Sequence, residues 1–136
     1  QQGFAVAISS DGNTVVVGGN GDANNRGACW VFTRSGGTWT QQGNKLFGTV
    51  GKSGQHQGTS VAISSDGNTF IEGASQDSSN VGAAWIFTRT GGVWSQQGQK
   101  LVGSGANGTA NQGTSVSISG DGNIAIIGGE LDSVNY

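Results

Sequence analysis

The sequence predicts an all-β fold of the β-propeller class, built from a 55-residue repeat that carries one four-stranded antiparallel sheet, with about two and a half repeats present. Three observations lead there. The stretch GTSVAISSDGNTFIEGASQD at 58–77 recurs as GFAVAISSDGNTVVVGGNGD at 3–22 and as GTSVSISGDGNIAIIGGELD at 113–132, in register on Asp11, Asp66 and Asp121. Each copy breaks into short strand-like runs separated by Gly, Asn and Asp. Finally, the chain has 27 Gly and no Pro, and no stretch of it follows the 3.6-residue period of a helix, so turns and strands must make the fold.

Within the first copy, the strands are expected at 4–9, 14–18, 28–34 and 38–46. In the first of these, larger apolar residues alternate with small ones, as in a strand whose two faces differ. Asp-Gly then gives a tight hairpin to the second strand, because Gly reaches positive φ at little steric cost. That second strand is apolar on both faces (Val15, Val16, Val17), which places it between layers. Ser35-Gly36-Gly37 and Thr90-Gly91-Gly92 each turn strand three into strand four. Longer polar segments join strand two to three and strand four to the next unit.

The repeat divides the chain into units at 3–57, 58–112 and 113–136, the third holding only strands one and two. A propeller blade spans about 40–50 residues, and a ring takes about four to eight blades, so this count does not close. Either the sequence belongs to a longer propeller, or copies of the chain complete one another. The absence of an initiator Met agrees with a processed product or an excerpt.

Composition narrows the partners. The net charge is −2 with no basic cluster, which argues against nucleic acid or an anionic membrane, and no apolar run is long enough to span a bilayer. Cys29 is the single cysteine and is replaced by Ala84 in the next copy, which reads as a small buried side chain. Asn107-Gly108-Thr109 is a glycosylation sequon, relevant only to a secreted eukaryotic protein.

The candidate contact residues lie in the loops from strand two to three. Asp22 with Asn25, Asp77 with Asn80, and Asp132 with Asn135 recur, and would either present oxygens to a sugar or cation or accept backbone N–H groups that fix the loop. Positions that differ between copies are the better markers of a site: Arg26 against Val81, Lys52 against Asn107, and Glu72 against Val17 and Ile127. Glu72 stands on a face that should be dry, so a local ion pair, a partly exposed strand end or a ligand contact is expected of it. Trp30, Trp39, Trp85 and Trp94 serve either packing between sheets or stacking on sugar rings, and Arg34 with Trp39, like Arg89 with Trp94, is placed for a cation-π contact. His56 is the only histidine and no nucleophile-base constellation is visible, so no enzyme is expected.

The order Gly-x-Ser-Val-Ala-Ile-Ser, Asp-Gly-Asn, apolar strand, Gly-Ala/Gly-x-x-Asp and Gly-Ala-x-Trp-Val/Ile-Phe resembles the FG-GAP repeat of integrin α-chain propellers. It is more similar still to the bacterial and algal arrays of secreted and surface proteins. Gly73-Ala74-Ser75 stands where that family has Gly-Ala-Pro, and Gly3-Phe4 or Gly58-Thr59 where it has Phe-Gly. The resemblance implies a propeller outside the cell, adhesion or ligand binding through the two-to-three and four-to-one loops, and calcium in the one-to-two loops. Ser-Ser-Asp-Gly-Asn-Thr supplies one carboxylate in a loop too short to wrap an ion, so no cofactor or metal is expected here. The expectation is a non-catalytic adhesion module for a protein or glycan ligand. The alternatives are a structural protein that assembles through its incomplete blades and a lectin using the Asp, Asn and Trp residues.

Overall fold

In a computed structural model that describes residues 2–49, 54–106 and 108–131, the chain is all-β and its described strands form three antiparallel sheets. The first holds β1 (Ala5–Ile8), β2 (Thr14–Gly19), β3 (Ala28–Ser35) and β4 (Thr38–Gln41), hydrogen-bonded in chain order. The second repeats that order with β5 (Ser60–Ile63), β6 (Thr69–Ala74), β7 (Ala83–Thr90) and β8 (Val93–Leu101). The third is the pair β9 (Ser115–Ile118) and β10 (Ala125–Gly128). The described residues form no closed ring, and no helix among them is long and apolar enough to cross a membrane.

Turn chemistry explains the sheet edges. Gly36 and Gly37 have φ of 55° and 82°, and Gly91 and Gly92 have 57° and 81°, the two positive values that a two-residue hairpin needs to match strand twist. In the one-to-two hairpins the aspartate is consumed by its own loop. Asp11 Oδ1 accepts from the Ser9 hydroxyl at 2.6 Å and from the Asn13 N–H at 2.9 Å, and Asp66 does the same with Ser64 and Asn68. Asp121 repeats the arrangement with Ser119 and Asn123. Two details differ from expectation. Strand four of the first unit ends at Gln41, with a separate bridge from Leu46 to Cys29, whereas in the second unit β8 runs on through Gly98 to Leu101 across a register shift. The segment from strand two to three, read as open loop, contains a four-residue helical turn, Asp22–Asn25 and again Asp77–Asn80, with left-handed backbone inside it.

Register decides which face meets which. Val6, Val17 and Trp30 are aligned across the first sheet, as are Ile8, Val15 and Phe32, and they make one face. Ala7, Val16 and Val31 make the other. The main core lies where this second face, with Val16, Cys29 and Val31, meets Phe70, Ala74, Ala83, Trp85 and Phe87 of the second sheet. Burying each large apolar side chain there contributes roughly 1.5–3 kcal/mol. Phe70 and Phe87 stack with ring centroids 4.9 Å apart. The sheets follow one another by a repeated step: β1 packs beside β5, β5 beside β9, Ser10 N–H donates to Ser65 O at 3.1 Å, and Ser65 N–H donates to Gly120 O at 2.9 Å. At the same step Gly18 lies on the carbonyl of Gly58 and Gly73 on that of Gly113, so closely that a methyl group at either would collide with backbone.

Candidate functional site

The connections between strands meet along one edge of the array and are stitched to each other. His56 N–H donates to Asn25 O and Gln57 N–H to Arg26 O, both at 2.8 Å, and the next unit repeats this with Asn111 to Asn80 at 2.8 Å and Gln112 to Val81 at 3.0 Å. Three successive residues in each turn hold positive φ, Ala23, Asn24 and Asn25 in one and Ser78, Ser79 and Asn80 in the other. For residues with a Cβ this conformation costs free energy, and Asn tolerates it best.

Asp22 pairs with Lys45 and Asp77 with Lys100, the latter at 2.6 Å, so the recurring aspartates face lysines at the end of the fourth-strand segment of their own unit. Asp77 is only 1% exposed, and its oxygens are further taken by the Gln55 side-chain amide and the Ser78 hydroxyl. Asn25 and Asn80 are exposed. The Arg26 guanidinium lies 3.7 Å from the centre of the Phe47 ring. Thus Asp22 and Asp77 brace the loops, while Asn25 and Asn80 stand exposed at their tips and Arg26 follows the turn half-buried against Phe47. Asp132, Asn135, Asn107 and Lys52 lie outside the described residues.

Glu72 is neither in an ion pair nor at an exposed strand end. It is fully buried between the first two sheets, where the Cys29 thiol donates to its Oε2 at 2.9 Å and the Gly48 N–H to its Oε1 at 3.2 Å. Gly48 has to be glycine, because a side chain there would run into the Trp85 indole. The same Gly48 N–H also donates to Gln57 Oε1 at 2.7 Å, and Gln57 Nε2 donates to Gly48 O at 3.2 Å and to Gln55 Oε1 at 3.1 Å. Gln55 continues to Asp77, and Asp77 to Lys100. A hydrogen-bonded chain therefore runs from Cys29 to Lys100. The second unit keeps the clasp, of Gln112 on Gly103, but has Ala110 in place of Gln55, so among the described residues the extension is made from the first unit alone.

Burial pushes the Glu72 carboxyl up from its ordinary 4.5 to about 7, against the pull of the Cys29 and Gly48 hydrogen bonds. The Cys29 thiol is pushed well above its ordinary value, first by burial and then by the Glu72 charge and hydrogen bond. A buried, protonated thiol is a poor nucleophile.

No protein-family model matches the chain, and no curated protein matches it. What the arrangement can do is thus read from its geometry. Among the described residues no three His, Cys, Asp or Glu side chains gather in the manner of a metal site.

A groove of about 320 Å³ opens between Gln42, Asn44 and Leu46 of the first unit and the hairpin at Gly92, Val93 and Trp94 of the second. Gln42 Oε1 accepts from both Trp94 Nε1 at 2.9 Å and Arg89 Nη1 at 3.0 Å, which ties the indole down as one wall. The two cation-π contacts expected across the hairpins are present, Arg34 on Trp39 at 5.6 Å and Arg89 on Trp94 at 5.2 Å. Trp30 and Trp85 are buried, with Trp85 Nε1 donating to Thr49 O at 3.2 Å. Trp85 packs in the core between the first two sheets, whereas Trp30 lies on the opposite face of the first sheet, aligned with Val6 and Val17. Sequence reasoning singled out Cys29 and Glu72 separately and missed that they touch. The available signal was that both depart from the repeat.

Proposed function

We propose that the chain is part of an FG-GAP-like β-propeller and works as a non-catalytic binding module outside the cell, meeting its ligand along the edge where the strand connections gather. One observation carries this reading. The backbone of that edge is the same in successive units and is stitched by the same hydrogen bonds, while the side chains it presents change: Arg26 becomes Val81 and His56 becomes Asn111. A constant scaffold with variable tips is how repeat folds place specificity on loops without disturbing the core. The propeller reading is supported by the repeated step between sheets and by the adjacency of β1, β5 and β9, which is the arrangement of inner strands around an axis.

The test is to display the chain on arrays of glycans and of extracellular matrix proteins, beside a variant carrying Asn25→Gly, Arg26→Ala and Asn80→Gly, glycine being the residue that keeps the positive φ of the two asparagines. The reading expects a retained ligand whose signal falls at least tenfold in the variant while the melting temperature stays within a few degrees. Equal retention of both proteins would place the ligand elsewhere. Elution by a free monosaccharide would identify the ligand as a glycan.

A further inference from the structure

We infer that the uncovered face of the first sheet docks on the uncovered face of the third sheet in a second copy of this chain, repeating between copies the contact that joins sheets within one. This goes beyond the binding reading and does not rest on it.

Equivalent residues of the three sheets differ in what covers them. Val61 and Ile63 of the second sheet pack against the core shared with the first. Their counterparts Val6 and Ile8 are 67% and 58% exposed. On the opposite face Val16 and Ile71 are fully buried by the sheet that follows, while their counterpart Ile126 is 66% exposed, with Ile124 beside it at 65%. One chain therefore carries both halves of an interface that it already uses internally. Neither half includes a charged side chain among these residues.

The backbone is prepared in the same way. Gly58 and Gly113 take φ of 76° and 84° and set their carbonyls against Gly18 and Gly73 of the preceding sheet. Gly3 holds the same conformation at 85° with nothing near its Cβ position. Its counterpart across the joint is Gly128, equivalent to Gly18 and Gly73, where the Ser115 hydroxyl lies close by as the Ser60 hydroxyl does at Gly73. The ladder from Ser10 to Ser65 to Gly120 would continue from the Gly120 N–H to the Ser10 carbonyl of the next copy. Because the two faces differ, the contact is head-to-tail, and it propagates or closes into a ring according to the rotation of the step. A pairing of two first-sheet faces has no counterpart inside the chain.

Light scattering on a sizing column, run on the whole chain from dilute solution up to its solubility limit, tests this together with Val6→Lys and Ile126→Lys. Both positions are exposed, so each variant should keep the wild-type melting temperature. The wild type should rise above the 13.6 kDa monomer as concentration increases. Each variant alone should remain at the monomer mass. Mixed in equal amounts, they should form a particle of twice that mass, since one retains a good third-sheet face and the other a good first-sheet face. A wild type that stays monomeric throughout overturns the inference, as does association that survives in either variant alone.

Discussion

The thiol of Cys29 sits 2.9 Å from a carboxylate oxygen of Glu72, on facing sides of two sheets 43 positions apart in the chain. Each is the residue at which its unit departs from its neighbours, Cys29 from Ala84 and Glu72 from Val17 and Ile127. Two departures that would each be costly or pointless alone satisfy one another. A buried carboxyl needs donors, and the one new donor in the facing sheet is the thiol.

Removing one member should expose that dependence. Cys29→Ala leaves Glu72 with the Gly48 N–H alone among these two donors and should cost about 1–3 kcal/mol in urea unfolding at neutral pH. Glu72→Val restores the residue of the first unit and should be neutral or stabilising, and in that background Cys29→Ala should cost less than 1 kcal/mol, roughly a lost small contact. Additive costs in the double-mutant cycle would show that the two residues are not coupled.

Glycine at the joints between sheets should be intolerant, and glycine in the hairpin tips tolerant. Gly73→Ala drives a methyl group into the Gly113 carbonyl and the Ser60 hydroxyl, and Gly48→Ala drives one into the Trp85 ring. Each should lower stability by about 3 kcal/mol or more, the scale of severe overpacking. Gly36→Ala meets no atom and carries only the strain of its positive φ, about 1 kcal/mol. Thermal melts of the three variants give the order directly, and equal losses would contradict the close approach of the sheets.

The two lysine pairs should differ in weight. Lys100→Ala removes the cation from Asp77, which is buried, and should cost about 2–3 kcal/mol. Lys45→Ala acts on Asp22, which is partly exposed, and should cost about 0.5–1 kcal/mol. Chemical denaturation of the two variants side by side measures the difference, and a larger loss from Lys45→Ala would reverse the assignment.

The repeat, its strand order and its hairpins were legible because they depend on local chemistry: alternation sets the faces, and Gly with Asp sets the turns. The left-handed turns at 22–25 and 77–80 were not, since Ala23, Ser78 and Ser79 have no intrinsic preference for positive φ and are held there by the bonds to the next connection. The Cys29–Glu72 contact was equally hidden. A period of 55 residues says which positions are equivalent, but which face of one sheet meets which face of the next is decided by stacking.

Acidification should weaken the hairpins between strands one and two. Asp11, Asp66 and Asp121 are held below the usual carboxylate range, first by the hydroxyls of Ser9, Ser64 and Ser119 and then by the N–H groups of Asn13, Asn68 and Asn123. A depressed value gives stability that is present above the ordinary carboxylate value and lost as pH falls through the folded-state value. Unfolding midpoints should therefore drop below about pH 4, and Asp66→Asn should flatten part of that drop.

Glu72 acts in the opposite sense and gives the sharpest test of how the first two sheets stack. Its folded-state value of about 7 lies above the ordinary 4.5, so its contribution is fully present below the ordinary value and is lost as pH rises through about 7. The total is on the order of 3 kcal/mol, set by desolvation of the charged form. Urea unfolding should be followed from pH 5 to 8.5 for the wild type and for Glu72→Val. The stacking described here expects the wild type to lose stability across that range while the variant stays nearly level. Parallel curves for the two proteins would mean that Glu72 reaches water, and that the two sheets do not meet with Cys29 on Glu72.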